Sequence, residues 1–260
     1  MHPIKSIEAR AQAYTLAHFS RSKYAKRLAQ LKNIHSGETC FIVGNGPSLT
    51  ADDLSMMKEK RIPSFAFNKI FLIFDKTDWR PTYYVSQDEK TLMNCTKEVN
   101  AMQVDIKFIP LIHKYYHYVD IENAYYFQIK NTDLIHYDFS DDISEFIGNS
   151  STVAFSAAQI AAYMGFKRIY LLGIDHQFSR FKNEAGELII DKSVKDYFAD
   201  NYHDSTEKDL NTPNPDVSTR AFLTMKAYCD KHGIEVYNAT RGGKLEVFPR
   251  ADFDKAINEL

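Results

Sequence analysis

Cysteine is scarce in this chain of 260 residues. The three present, Cys40, Cys95 and Cys229, are odd in number and share neither a C-x-x-C nor a metal-type spacing, which argues against a disulfide framework or a zinc site. No run of 18 apolar residues occurs, and the opening MHPIKSIEAR lacks the apolar core of a secretory signal, so a cytoplasmic protein is expected. Neither sign of charge is in excess, at 32 Lys and Arg against 34 Asp and Glu. A surface built for nucleic acid is therefore not expected. Internal repeats and low-complexity tracts are absent, as are G-x-G-x-x-G and a GK[ST] loop, and neither SDDIS nor TADDL contains the D-x-D of many metal-dependent glycosyltransferases.

What charge asymmetry there is lies at the start. Residues 1–35 carry seven Lys or Arg (Lys5, Arg10, Arg21, Lys23, Lys26, Arg27, Lys32) against Glu8 alone. Apolar residues between them recur at helical spacing, so the segment reads as a basic helical arm. A solvated packing arm is the plain reading; contact with anionic lipid at the inner face of the membrane, or with a second copy in a homo-oligomer, is the sharper one.

From Thr39 onward short apolar runs alternate with helical stretches. Strands are predicted near 40–43, 63–67, 82–86, 106–111, 124–129, 168–174 and 234–238, with helices near 152–164 and 216–231. That alternation gives an α/β fold: one Rossmann-like, mostly parallel sheet with helices on both faces over residues 36–260. Residues 176–215 are polar, aromatic and charged, too long for an ordinary connection, and read as a lid insertion.

The first strand runs into Gly44-Asn45-Gly46-Pro47-Ser48. In an open parallel sheet the first strand-to-helix turn is where backbone comes closest to a phosphate. Gly44 and Gly46 would give that access, Ser48 would cap the following helix, and Asn45 both donates and accepts. The alternative for the glycines is a tight turn at positive φ.

The string GNGPSL after an apolar strand resembles the opening of the family 42 bacterial sialyltransferases and of the 6-hydroxymethylpterin pyrophosphokinase-like (MptE-like) group associated with polysaccharide synthesis. FAFNKIF (65–71), TYYVSQD (82–88), the NSSTVAF…LLGID stretch (149–175) and GIEVYNATRGGKLEVFPRADF (233–253) resemble the later segments of that group, in the same order. The resemblance implies a GT-A-variant-like domain that binds a nucleotide-activated sugar, CMP-linked in the sialyltransferases, and inverts the anomeric centre without a bound metal. No tightly bound cofactor follows from it. It implies nucleotide contacts at Asn68, at Ser86 and Gln87, at Ser151 and Thr152, and at Gly173. It also implies a lid histidine as general base and lid tyrosines on the leaving phosphate.

The lid histidine nearest that position is His203, flanked by Tyr202 and Asp204; His176, directly after Gly-Ile-Asp, is the second candidate. Asp175 ends a strand beside the cleft, where it can bond ribose or acceptor or order the lid. Arg241 and Lys244 surround two glycines in TRGGK, an anion contact or a solvated turn. HKYYHYVD (113–120) has His113 and His117 at helical spacing, but its strand-forming residues and missing third ligand read as core and surface aromatics.

Three functions stay open at this point. One is a glycosyltransferase building a bacterial capsule or lipo-oligosaccharide, with nucleotide-sugar and glycan acceptor as partners. The second is a pterin pyrophosphokinase using ATP and Mg²⁺. The third is a non-catalytic nucleotide-sugar-binding protein.

Overall fold

The computed structural model describes residues 3–131, 136–202 and 212–260. In chain order the elements are helices α1 (Pro3–Ala17) and α2 (Lys23–Ala29), strand β1 (Thr39–Val43), α3 (Ala51–Glu59), β2 (Ser64–Phe67), β3 (Tyr83–Val85), α4 (Glu89–Asn94), α5 (Thr96–Ala101), β4 (Ile106–Pro110), α6 (Leu111–Tyr116) and β5 (Ala124–Phe127). Then follow β6 (Ile129–Lys130), β7 (Ile147–Gly148), α7 (Val153–Tyr163), β8 (Arg168–Leu172), β9 (Arg180–Lys182), β10 (Leu188–Ile190), α8 (Pro215–Lys231), β11 (Glu235–Asn238) and α9 (Phe253–Asn258).

Among the described residues the central sheet has seven strands in the order β11-β8-β1-β2-β3-β4-β5. Every neighbouring pair is parallel. This is the Rossmann-like α/β fold expected, because strands buried on both faces read as near-continuous apolar runs. Succession runs one way from β1 to β5 and the other way through β8 and β11. The sheet thus has a topological switch point between β1 and β8, where a crevice opens at the carboxyl ends of the strands.

Both faces are aromatic. Register pairs Ile42 with Phe65, Phe65 with Tyr83, and Phe108 with Tyr125, so Phe65, Tyr83, Phe108 and Tyr125 form one row across four strands, with centroids 4.8 to 6.1 Å apart. On the opposite face Phe41 stacks on Tyr170 at 5.0 Å and meets Phe253 of α9 edge-on at 5.9 Å. α7 is almost wholly buried, and its Gln159 is satisfied inside the core. Oε1 accepts from Ser140 N and Gly148 N, while Nε2 donates to the carbonyls of Gly148 and Phe155.

The basic segment 1–35 divides in two. Phe19, Ala25, Leu28 and Leu31 belong to the core. Arg27 lies 3.8 Å over the Tyr125 ring and donates to Ala124 O at 3.1 Å, so α2 covers the edge strand β5. Only α1 stands out as an arm, with Ile7 and Tyr14 67% and 63% exposed.

The helix after β1 begins later than the sequence suggested. Thr50, not Ser48, is its N-cap, in a capping box with Asp53. The first part of HKYYH is the helix α6 despite its strand-forming residues, and His117, the residue that caps its end, faces His113. The lid interval contributes the antiparallel hairpin β9–β10 and a series of turns to Tyr202.

Candidate functional site

A cleft of about 1730 Å³ opens at the strand ends. Gly44, Asn45, Gly46, Asn68, Gln87, Ser151, Thr152, Gly173, Asp175 and His176 all line it. Residues drawn from five separate stretches of sequence therefore converge on one place.

Backbone bonding continues past the strands here. Gly44 N donates to Leu172 O at 2.7 Å and Gly46 N to Gly173 O at 2.9 Å. The turns after β1 and β8 are thus zipped together, and this explains the glycines. A Cβ at Gly44 would lie 2.3 Å from Gly173 O, and one at Gly46 would lie 1.9 Å from Asp175 Oδ2. Neither has a positive φ. The chain itself fills the space that the sequence reading reserved for a phosphate.

Asn45 is buried, and its Nδ2 donates to Phe67 O at 3.0 Å and to Tyr202 Oη at 3.1 Å. Among the described residues its Oδ1 is buried without a hydrogen-bond partner. An acceptor left in that state costs free energy until a donor reaches it. Asn68 holds a left-handed φ of 52° and His176 one of 54°. Asn adopts this region readily, whereas a His there is uncommon. Ser86 lies behind Asn68, its Oγ donating to Asn68 Oδ1 at 3.4 Å, and supports that side chain rather than facing the cleft.

Asp175 is buried and its Oδ2 accepts from Ser48 Oγ at 2.7 Å. Burial raises its pKa above the ordinary carboxylate value, against the opposing effect of the Ser48 bonds. His176 Nε2 lies 2.8 Å from Thr219 Oγ1, whose own hydrogen goes to Pro215 O at 2.8 Å. Nε2 must therefore carry the donated hydrogen, which leaves the lone pair on Nδ1. Burial lowers the pKa of this ring, so it is neutral at pH 7.

α7 begins at the cleft with no side-chain cap. Thr152 occupies the cap position without bonding the first turn, Ser150 Oγ turns to Thr152 O, and Ser151 Oγ pairs with Ser218 Oγ at 3.0 Å. Neither Ser151 nor Thr152 caps this helix, and the amides at the start of α7 stay available to an anion.

Two expected contacts lie elsewhere. Arg241 Nη1 donates to both oxygens of buried Asp53, at 2.7 and 2.8 Å. Lys244 is exposed and only its backbone N reaches inward, to Asp175 O at 2.7 Å. TRGGK therefore buttresses Asp175 from outside the cleft. His203, and Asp204 beside it, lie outside the described residues.

Sequence reasoning missed Lys69, a buried cation in the cleft whose Nζ donates to Tyr202 O at 2.8 Å. Its signal was its place directly after Asn68. Arg180 and Lys182 of the lid hairpin, and Glu89, His113 and His117 at the far end, also line the cleft.

Residues 15–181, well over half of the chain, match the family model described as 6-hydroxymethylpterin diphosphokinase MptE-like. Curated protein sequences give no match. Among solved structures, the MAf glycosyltransferase from Magnetospirillum magneticum AMB-1 is similar at a TM-score of 0.53 and 15% identity, over 89% of this chain and 38% of that one. At that identity the likeness is one of fold, and the chain spans well under half of the neighbour's length. Taken with the strand-end cleft and its turns, the family match means that this chain belongs to the 6-hydroxymethylpterin diphosphokinase MptE-like family.

Proposed function

We propose that the chain is a glycosyltransferase that moves a sugar from a nucleotide-activated donor, with CMP favoured, to a bacterial surface glycan such as capsule or lipo-oligosaccharide. The observation that carries this reading is the unpartnered Asn45 Oδ1, buried in the strand-end cleft beside the uncapped start of α7. A nucleotide brings what the two lack: an N–H or O–H donor for Asn45 and a phosphate for the α7 amides.

In the transfer, the acceptor oxygen attacks the anomeric carbon, its proton passes to a base, and the bond to the donor phosphate breaks with its electron pair on the phosphate oxygen. His176, neutral and with Nδ1 as its lone-pair nitrogen, is the base that the described residues offer. His203, the first choice on sequence, competes for that role. Lys69, Arg180 and Lys182 are the cations of the cleft suited to the leaving phosphate. The chemistry needs no metal, and attack opposite the leaving group inverts the anomeric centre.

The family description favours a second reading, diphosphate transfer from ATP to a pterin alcohol. Mg²⁺ held mainly through substrate phosphates asks for only one or two carboxylates, and Asp88 and Asp175 line the cleft. A thermal-shift panel of CMP, CDP, UDP, GDP and ATP, each with and without Mg²⁺, separates the readings, since only ligands of the native state raise its melting temperature. Stabilisation by ATP with Mg²⁺ alone would overturn the glycosyltransferase reading.

Among the described residues no helix is long and apolar enough to cross a membrane. Peripheral contact is proposed through α1, where Ile7, Arg10 and Tyr14 are exposed on one helical face. Self-association through that face is the competing outcome of a vesicle-binding test.

A further inference from the structure

The cleft is larger than one ligand needs. Sites for single small ligands run from about 300 to 1000 Å³, against about 1730 Å³ here. Its two ends also differ in chemistry. The strand-end turns and α7 supply backbone amides and Lys69. The far end, at α4, α6 and the β5–β6 corner, presents Glu89, Ile112, His117, Gln128, Asn131 and Asn149.

Among the described residues Gln128 Oε1 is a second buried acceptor without a donor, independent of Asn45. Beside it in the lining, Asn149 Nδ2 donates to Asn131 Oδ1 at 2.9 Å, which fixes two amides together. His113 Nε2 lies 2.9 Å from Gln87 O, a carbonyl that can only accept, so His113 Nδ1 must accept from His117 Nδ1, 2.9 Å away. His117 Nε2 then faces Glu89 Oε1 at 3.4 Å and donates to it when protonated. Gln87 completes the connection, its Nε2 donating to Ser150 O at 3.2 Å and its Oε1 accepting from Ser156 Oγ at 2.7 Å. Hydrogen bonds thus join His117 and His113 to Gln87 and Gln87 to the turn before α7, with Glu89 beside His117 at the outer end.

Unsatisfied Gln128 Oε1 and the Glu89 carboxylate call for a ligand that brings donors, and they disfavour an anion. Amides that both donate and accept match hydroxyls, which do the same. Ile112, 42% exposed, adds an apolar surface for van der Waals contact with the C–H face of a sugar ring. We propose that this end is a second substrate site that binds a polyhydroxylated saccharide, the acceptor glycan. The assignment rests on the glycosyltransferase reading for the word acceptor, but the saccharide site itself can be tested without any nucleotide.

Saturation-transfer NMR on the full chain with lactose, N-acetyllactosamine and maltose, each at about 10 mM to detect millimolar Kd values, is the direct test. At least one sugar is expected to bind. Gln128→Leu and Asn131→Ala should each weaken it by about tenfold, the size of one lost hydrogen bond, while CMP affinity by calorimetry stays within a factor of about two. Gln128 Oε1 has no protein donor to lose, so Gln128→Leu should keep the parent melting temperature; if it does not, exposed Asn131→Ala carries the test. No sugar signal in the parent, signals unchanged in both variants, or displacement of the sugar by 6-hydroxymethylpterin would overturn the proposal. If CMP binds and no sugar does, this site fails and the donor reading stands. If a sugar binds and no nucleotide does, the donor reading fails alone.

Discussion

Gly46→Ala is a small substitution with a large expected consequence. Its Cβ would stand 1.9 Å from Asp175 Oδ2, 2.7 Å from Asp175 Cγ and 2.8 Å from Gly173 O. Asp175 has nowhere to retreat, because Ser48 Oγ holds its carboxylate at 2.7 Å and Lys244 N holds its backbone carbonyl at 2.7 Å. Overpacking of this kind costs about 1 to 3 kcal/mol, and loss of the charge-assisted Ser48 bond adds about 1.5 to 3 kcal/mol. A destabilisation of about 2.5 to 6 kcal/mol is expected in urea unfolding at pH 7. The mechanism is separable from a general intolerance of the turn by a double-mutant cycle. Asp175→Ala removes the obstructing carboxylate, so Gly46→Ala should then cost less by about 1 to 3 kcal/mol. An unchanged cost in the two backgrounds, or a single variant within about 0.5 kcal/mol of the parent, would refute the steric account.

Asn45→Ala should weaken CMP binding by about 1 to 3 kcal/mol in calorimetry; equal affinity in variant and parent removes Asn45 from the site. His176→Ala should lower turnover by about 10² to 10⁴ with nucleotide affinity nearly intact, whereas the same result for His203→Ala alone moves the base into the lid. Burial holds the His176 pKa below the ordinary value, so below about pH 6.5 the unfolded chain takes up a proton that the folded chain resists. Stability should therefore fall as pH drops through that window, and less steeply in His176→Gln; identical slopes in urea titrations would count against a buried neutral ring. Arg241→Ala should destabilise by about 1.5 to 3 kcal/mol by stranding Asp53 while leaving CMP affinity unchanged, and a selective loss of affinity would return Arg241 to the site. Deleting residues 1–17 should spare the melting temperature and reduce sedimentation with phosphatidylglycerol vesicles, but deleting 1–31 should prevent folding by removing Phe19, Ala25, Leu28 and Leu31 from the core.

The strands were legible because burial on both faces leaves runs such as CFIV and RIYLL with little polar interruption. The cleft was legible for the same reason, since strand ends in a parallel sheet converge. Side-chain duties were harder to read. Ser48 looked like a cap, although T-A-D-D two residues on carries the capping box, and its hydroxyl serves Asp175 from across 127 residues of sequence. Arg241 looked like an anion contact because its partner Asp53 is 188 residues away. The glycines were noticed for the right physical property, absence of a Cβ, but the neighbour that needs the room is the β8 turn. His113 and His117 were set aside for want of a third ligand; their value lies in hydrogen bonds to Gln87 and to each other, which no spacing rule announces.

Asn45 is also the seat of the lid. Phe198 N donates to its carbonyl at 3.0 Å, its Nδ2 reaches Tyr202 Oη at 3.1 Å, and Tyr202 stacks on Tyr197 with centroids 3.7 Å apart. The residue proposed to take a nucleotide donor is therefore already clasped by Phe198 and Tyr202. In kinetic terms, the observed association rate should level off at high ligand concentration, at the frequency with which residues 196–202 lift from the turn, rather than rise without limit as for an open groove. On the glycosyltransferase proposal, the same lifting of residues 196–202 is expected to set how soon the spent nucleotide departs. A rapid first turnover followed by a slower steady state would be its signature.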